Sequence, residues 1–331
     1  MPITAFGVPS PFRMMSRWVS FAFSAVVLHG TMAAIDPAAV NNPAQKDLAD
    51  GAQGAAVVRA QVLLGRAHFS GGEIDGTFGS NFQKALAAFQ GERKLPLSAV
   101  LDAATWSAIN ADTAPALIDY TITAEDLKGP FAPIPAGMEA QAKLEYLGYA
   151  SVLEELGEKF HSSPELLSAL NPGANFELDG QRLTVPNILV DAPARASNIV
   201  VSKAESSVRA YDSSGALLAF YVATIGSEHD PLPIGEWKIK GVAHNPKFHY
   251  DPTLFWNAKD TTEKETLAPG PNNPVGMVWI DLSKAHYGIH GTPEPGKVGH
   301  ASSHGCIRLT NWAALELAGM VRPGTPATLK E

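Results

Sequence analysis

The chain has 331 residues, 45% of them hydrophobic and 18% charged, a composition that predicts folded domains with buried cores rather than a disordered chain. Its formal net charge is −8 and no run of Lys or Arg occurs, which excludes the basic surface expected for nucleic acid or for an anionic membrane. The length leaves room for roughly two or three domains.

The N-terminal segment 1–34 has the layout of a secretory signal peptide. Two arginines precede the apolar stretch 18–28, and small residues around Ala33 follow as a cleavage site. The apolar stretch is about half the length that a membrane-spanning helix needs. Export is therefore expected, with an uncleaved anchor as the alternative. Residues 35–54, rich in Ala, Asn, Asp, Gly and Pro, predict a linker.

Residues 55–112 predict a small all-α domain of three helices. Apolar residues recur at spacings of three and four in two stretches, the segment 71–79 between them has the glycines and Asp of a tight loop, and Asp102 is placed to cap a third helix. The segment resembles the peptidoglycan-binding domain family, which implies docking to peptidoglycan; a structural spacer is the alternative. The resemblance is carried by residues 61–64, 74–76, 78–79, 85–90, 102 and 105–106.

Residues 117–190 predict a small α+β module with two helices and a short final strand. Their order resembles LysM, a glycan-binding fold whose last strand ends in an apolar-Pro pair, here Val185-Pro186. A first strand near 120–123 is separated from the helices by a long insertion containing Pro and Gly. A working glycan module and a degenerate spacer both remain open. Residues 191–197 predict a second linker.

Beyond residue 197 the pattern changes, and 197–331 predicts a mainly β domain. A hairpin turn is indicated at 212–215, and only the stretch 310–320 looks helical, with Thr310 or Asn311 as its N-cap. The whole chain is thus predicted to be multidomain. The strands are expected at 199–201, 207–211, 217–225, 235–239 and 276–282.

Cys306 is the only cysteine, so it cannot form an internal disulfide. A cysteine nucleophile needs a neighbour that takes its proton, and an imidazole, which titrates close to neutral pH, can do so. His290 lies 16 positions earlier at the end of an apolar strand, from which a hairpin-like return could reach Cys306. Gly305 permits a backbone conformation that a Cβ would forbid. The amides of His304, Gly305 and Cys306 are candidates for an oxyanion hole.

A structural zinc site is the metal-based alternative. His290, His300, His304 and Cys306 would supply four ligands within 17 residues. The His-x-Cys spacing is too tight for the usual chelating pair, and no second pair with a recognisable spacing exists. We therefore expect neither a metal nor another cofactor.

Two segments, 287–292 (Tyr-Gly-Ile-His-Gly-Thr) and 303–308 (Ser-His-Gly-Cys-Ile-Arg), resemble the signature of the YkuD-type L,D-transpeptidases. The likeness extends through 233–235 and 269–276, and so covers nearly all of 197–331. It implies that Cys306 is the nucleophile and His290 the general base. Gly291 matches the position whose backbone carbonyl orients the imidazole.

The resemblance assigns two further groups of residues. Those that shape the catalytic pocket are Ser303, His304 and Gly305, and those that face the substrate are Tyr287, Thr292 and Arg308, the last at a position where the family has Arg or Asn. The long insertion 244–266 departs from the family pattern. Its aromatic residues suggest either a flap over the substrate or a surface for a partner.

The resemblance also implies a two-step acyl transfer on peptidoglycan stem peptides. The thiol attacks the carbonyl of an L-centre, usually that of meso-diaminopimelate followed by D-Ala, and releases D-Ala to leave a thioester. Another diaminopimelate side chain then makes a 3→3 cross-link, an outer-membrane lipoprotein lysine gives protein anchoring, or a free D-amino acid is exchanged into the stem. These acceptors stay open, and the expected partners are stem peptides and glycan strands.

Three other functions are compatible with parts of the sequence. With water as acceptor, the same site makes an L,D-carboxypeptidase or amidase. A sortase-like transpeptidase would have its His much further upstream of the Cys. A wall-binding protein with a silent catalytic domain would have lost the pair of Cys306 and His290, which this chain keeps. The expected location is the periplasm or the cell wall, with a Gram-negative periplasm favoured.

Overall fold

The computed structural model describes residues 32–188, 190, 192–254, 263–301, 303 and 305–331. All but the last three residues of the predicted signal peptide, and the predicted site residue His304, lie outside these residues. Among the described residues, no helix is both long and apolar enough to cross a membrane. Residues 32–331 form one compact unit.

The helices within the described residues are α1 (Pro37–Asn41), α2 (Ala55–Arg66), α3 (Ser80–Glu92), α4 (Ala103–Ile109), α5 (Met138–Gln141), α6 (Val152–Lys159), α7 (Pro164–Leu170) and α8 (Asn311–Met320). The strands are β1 (Phe69–Ser70), β2 (Leu117–Thr121), β3 (Arg182–Pro186), β4 (Asn198–Ser202), β5 (Ser207–Tyr211), β6 (Leu217–Val222), β7 (Thr224–Ile225), β8 (Gly235–His244), β9 (Phe248–Tyr250), β10 (Glu265–Leu267), β11 (Val278–Leu282), β12 (Gly288–His290), β13 (Ile307–Arg308) and β14 (Pro326–Lys330).

The segment 35–54 is part of the folded unit, and the linker predicted there is wrong. Helix α1 begins after Asp36, whose carboxylate accepts a hydrogen bond from the Ala38 amide at 2.9 Å. Val40 of this helix is fully buried, and Leu48 forms a β-bridge with Leu101. Single apolar residues of this kind have no helical or strand period, so the pattern concealed them.

Helices α2, α3 and α4 form the helical module, defined here as residues 35–112. Asp102 caps α4 as its sequence predicts, accepting from the Thr105 amide at 2.8 Å. Two edge-to-face aromatic pairs lie in the core of this module, Phe78 with Phe82 and Phe69 with Phe89. The core extends beyond the helices, because it includes residues of the C-terminal sheet.

Strand β1 joins the helical module to the C-terminal sheet. It pairs in parallel with β6, Phe69 opposite Phe220 and Ser70 opposite Tyr221. Side chains of β6 alternate between two cores: Tyr221 packs in the core of the sheet, whereas Phe220 and Val222 pack among the helices. Both faces of β6 are therefore buried, which agrees with its nearly continuous apolar sequence.

The middle module, defined here as residues 117–190, has the order β2, α5, α6, α7, β3. Strands β2 and β3 pair antiparallel, and α6 and α7 contribute Leu156 and Leu167 to a core shared with Leu183 of β3. Ser151 and Ser163 accept hydrogen bonds from amides of the first turns of α6 and α7, which sets where these helices begin.

Two insertions that interrupt the expected patterns pack against each other. Leu147, from the insertion of the middle module, is fully buried against Tyr250 of β9 and Leu267 of β10. Its amide donates to the Pro269 carbonyl at 2.9 Å, and its carbonyl accepts from the Asn272 amide at 3.0 Å. The hairpin β9–β10, which the sequence pattern did not predict, thus binds another part of the same chain.

The C-terminal module, defined here as residues 197–331, is built on a ten-stranded sheet that includes β1. Its strand order is β1-β6-β5-β4-β14-β8-β11-β12-β13-β7. The predicted turn at 212–215 joins the antiparallel strands β5 and β6. Helix α8 begins at Asn311 with Thr310 as its N-cap, and packs against β11 and β12. Strands β13 and β14 were not predicted.

Candidate active site

Strands β12 and β13 bring the segments that carry His290 and Cys306 next to each other in the sheet. The two strands are parallel, with Ile289 opposite Ile307 and His290 opposite Arg308. Ile289 and Ile307 are fully buried in the sheet core, so the alternate residues point to the other face. Cys306 directly precedes β13, and continuing the register by one residue would put it opposite Gly288, two residues before His290. With ordinary sheet spacing, the Cα atoms of Cys306 and His290 would then be about 8 Å apart, close enough for the side chains to meet.

His290 is held in one orientation. Its Nδ1 lies 2.6 Å from the Gly291 carbonyl oxygen, which requires a proton on Nδ1 and leaves Nε2 as the acceptor. The ring is 3% exposed and stacks on Trp279 at 5.4 Å between centroids and 17° between planes. Burial, together with the positive charge of Arg308, lowers the pKa of His290 to about 3. The imidazole is therefore neutral at any pH near neutrality.

Cys306 is half-buried, and burial raises the pKa of its thiol, while a backbone hydrogen bond from Gly288 and the charge of Arg308 act in the opposite direction. Its Sγ lies 3.9 Å from the His286 carbonyl oxygen. Since burial lowers the pKa of His290 and raises that of Cys306, the resting pair is a thiol and a neutral imidazole. His290 can therefore take the thiol proton while the sulfur forms its bond to the substrate, and no thiolate needs to be present in the resting enzyme.

Ser303 and Gly305 shape the turn that leads to the nucleophile. The Ser303 hydroxyl donates to the Cys306 carbonyl at 2.6 Å, and the Ser303 amide donates to the Gly226 carbonyl at 3.0 Å. Gly305 has φ +89°, and a Cβ there would come within 2.9 Å of Cε1 of Tyr287. Any other residue at 305 would be strained and would displace the Tyr287 ring.

Three further residues named from the sequence are Tyr287, Arg308 and Thr292. Burial raises the pKa of the Tyr287 phenol, and burial lowers the pKa of the half-buried Arg308 guanidinium. Thr292 is buried, and its hydroxyl oxygen accepts from the Glu294 amide at 3.3 Å, so it stabilises the loop after His290.

Two of the four residues of the zinc alternative are bound to other groups of the protein. The His300 ring nitrogen Nε2 lies 3.0 Å from Nδ2 of Asn81 on α3, and His290 is bound to Gly291. Among the described residues, no three His, Cys, Asp or Glu are grouped so that they could hold a metal ion.

Two residues at the site, Trp279 and Asp230, were missed from the sequence. The indole of Trp279 lies over Gly288, where a Cβ would come within 2.5 Å of Cε2, and so it shields the imidazole from water. Asp230 contributes a negative charge near Cys306 and Tyr287, and its Oδ2 is buried with no hydrogen-bond partner among the residues described. These residues come from distant strands and loops, and no local motif marks them.

Two family models match the chain. The YkuD model, described as an L,D-transpeptidase catalytic domain, matches residues 196–329, and a model described as "Putative peptidoglycan binding domain" matches residues 53–109. These ranges coincide with the C-terminal module and with most of the helical module.

The chain is similar to proteins described as L,D-transpeptidases. It is 31% identical over 179 residues to "Putative L,D-transpeptidase YkuD" of Bacillus licheniformis, and the matched region covers 54% of this chain and 92% of that protein. It is 26% identical over 170 residues to "Probable L,D-transpeptidase YbiS" of Escherichia coli K12, covering 50% of this chain and 55% of that protein. Among solved structures, L,D-transpeptidase 3 of Mycobacterium tuberculosis matches with a TM-score of 0.34 at 17% identity, covering 46% of this chain and 75% of that one.

Proposed function

Because the chain belongs to the L,D-transpeptidase family, we propose that Cys306 is its nucleophile and His290 the general base in acyl transfer between peptidoglycan stem peptides. One observation carries the assignment. Strand β12, which ends at His290, pairs in parallel with β13, which begins directly after Cys306, and the Gly291 carbonyl holds Nδ1, so that Nε2 is left to accept the thiol proton.

The first half-reaction begins from an uncharged pair. As Sγ of Cys306 forms a bond to the carbonyl carbon of the donor, its proton passes to Nε2 of His290. The carbonyl oxygen becomes an oxyanion, for which the amides of Gly305, Cys306 and the undescribed His304 are candidate donors. The imidazolium then gives its proton to the departing amine of D-Ala, the C–N bond breaks, and a thioester remains on Cys306.

The second half-reaction repeats these steps with an amine acceptor. The amine loses a proton to His290 as its nitrogen attacks the thioester, and the thiol is reformed when the C–S bond breaks. Diaminopimelate, a lipoprotein lysine and a D-amino acid all present such an amine. Water as acceptor makes the site an L,D-carboxypeptidase. The half-buried position of Cys306 favours acceptors that displace water first.

The remaining modules support binding to the wall in which this donor occurs. The helical module matches a peptidoglycan-binding family. The middle module has α6 and α7 between the antiparallel strands β2 and β3 in chain order, as its resemblance to LysM implies, with the short helix α5 in addition. We therefore propose that the first binds peptidoglycan and the second glycan. A substrate of this kind requires export to the periplasm or cell wall, which the signal-like sequence of 1–34 would provide.

The proposal is tested by replacing the nucleophile. Cys306→Ala should lower acyl transfer by on the order of 10³-fold or more, because no other group can form the thioester. The assay is mass spectrometry of products after incubation with disaccharide tetrapeptide, which separates dimer, exchanged tetrapeptide and hydrolysed tripeptide. Ser213→Ala, in an exposed turn, is the control. Binding to insoluble peptidoglycan should be unchanged in both variants. Full turnover by Cys306→Ala would refute the assignment.

A further inference from the structure

Asn311 lies directly behind the backbone that orients His290. It is the first residue of α8 and is 1% exposed. Its side-chain Oδ1 accepts from the Met277 amide at 3.1 Å, and its Nδ2 donates to the Pro271 carbonyl at 3.2 Å. An amide with one acceptor and two donors bound in different directions has a single allowed orientation.

The same amide limits the position of Gly291. A Cβ at Gly291 would overlap Oδ1 of Asn311 and lie 3.2 Å from its Cγ, and a Cβ at Gly276 would overlap the same oxygen. The Gly291 backbone therefore packs against the Asn311 side chain without space between them. Because the Gly291 carbonyl binds Nδ1 of His290, a displacement of Asn311 is transmitted to the imidazole.

The last partner of Asn311 comes from another module. Nδ2 donates to Oε1 of Glu158 at 2.9 Å, and Glu158 is on α6 of the middle module, 153 residues earlier in the chain. Burial, with Glu154 and Glu73 nearby, raises the pKa of Glu158 to about 8, against the hydrogen bond from Asn311, which lowers it. A carboxyl group kept in such a place without a function would cost stability.

We propose that Glu158 and Asn311 are positioning residues for the general base: Glu158 fixes the Asn311 amide, which fixes the Gly291 carbonyl and with it the His290 ring. The middle module is then part of the scaffold of the active site, in addition to any affinity for glycan. The inference rests on the proposed roles of Cys306 and His290, since it concerns the alignment of that pair.

Three variants of Glu158 in the full chain separate positioning from folding. Glu158→Gln keeps an oxygen that can accept from Asn311, Glu158→Asp withdraws it by one methylene, and Glu158→Ala removes it. Glu155→Ala, on the same helix, is the matched control. Misplacement of a catalytic group by about 1 Å costs roughly 10- to 100-fold in rate. We expect kcat for acyl transfer to fall by this factor in the Ala and Asp variants, with KM changed less than about twofold.

Two measurements report on the pair without acyl transfer. The rate of Cys306 alkylation by iodoacetamide is specific, because the chain has one cysteine, and it should fall with kcat. The ¹⁵N shifts of His290 should show Nδ1 protonated in the wild type, Glu158→Gln and Glu155→Ala, and a mixture of tautomers in the Ala and Asp variants. If Glu158→Ala does not fold, the comparison of Glu158→Asp with Glu158→Gln carries the test.

Wild-type kcat and tautomer in Glu158→Ala or Glu158→Asp would overturn the inference. So would an equal loss in Glu158→Gln, because the carboxylate charge rather than the hydrogen bond would then be responsible. The proposed function fails in a different way, namely if the wild type itself transfers no acyl group. In that case alkylation rates and ¹⁵N shifts still decide whether Glu158 aligns His290.

Discussion

The core shared by the helical module and the C-terminal sheet predicts that the two unfold together. Phe220 is on a strand of the sheet but is 1% exposed among the helices, with the Arg209 guanidinium 5.5 Å from its ring centroid on one side. Phe220→Ala removes a buried aromatic ring and should cost about 3–5 kcal/mol of the free energy of unfolding. At roughly 2–4 °C per kcal/mol, a decrease in Tm of about 6–20 °C is expected.

The assay combines calorimetry with hydrogen exchange. One transition should be seen in the wild type and in Phe220→Ala, and backbone amides of α2 and α3 should lose protection although the substitution is in the sheet. Phe89→Ala, in α3, should lower the Tm of the same transition, although this substitution is in the helical module. Phe176→Ala, a half-buried residue of the middle module, is the control and should cost less.

If calorimetry showed two separate unfolding transitions and Phe220→Ala changed the Tm of only one of them, the shared core would be refuted. Unchanged protection of α2 and α3 would do the same.

The isolated segment 197–331 gives a related prediction. Without the helices, Phe220, Val222 and Val298 would be exposed to water, at a cost of about 5–8 kcal/mol in lost apolar burial, and β6 would become an unpaired edge strand. A stable, monomeric fragment would contradict the prediction.

Three further outcomes are expected. EDTA should leave acyl transfer unchanged, because a cysteine and a histidine need no metal; loss of activity that Zn²⁺ restores would instead support the zinc site. The acid limb of kcat/KM should lie below about pH 4, because burial lowers the pKa of His290 to about 3, and a limb at pH 6–7 would show a protonated base in the resting enzyme. Gly276→Ala should cost about 1–3 kcal/mol in urea unfolding, since φ is +60° and the new Cβ would overlap Asn311, whereas Gly241→Ala meets no atom within 4 Å and should be nearly neutral.

The catalytic residues could be predicted from the sequence more readily than the residues that hold them in position. The spacing of His290 and Cys306 and the glycine before the cysteine are local features, and each expresses a requirement of the reaction or of the backbone. No local sequence feature identifies Trp279 or Asn311, because both act through tertiary packing. Glu158 could not be identified, since its partner is 153 residues away on another module.

Much of the fold followed from periodicity, and the exceptions have a common cause. Strands β4, β5, β6, β8 and β11 lie where their apolar runs predict them, and α8 begins at the expected cap. The short strands β1 and β13 have two residues each and exist because a neighbour pairs with them. The buried residues of 35–54 depend in the same way on the helices they cover. Such elements have no period of their own to detect.

The contact between the two insertions also limits how this architecture can change over time. Leu147 is fully buried in a cluster to which β9 and β10 contribute Tyr250 and Leu267, and its backbone amide donates to the Pro269 carbonyl. A recombination event that exchanged one insertion for a shorter version would leave the apolar face of the other in water. We therefore expect homologues to gain or lose the two segments together, so that they are inherited as one unit although more than 90 residues of chain separate them.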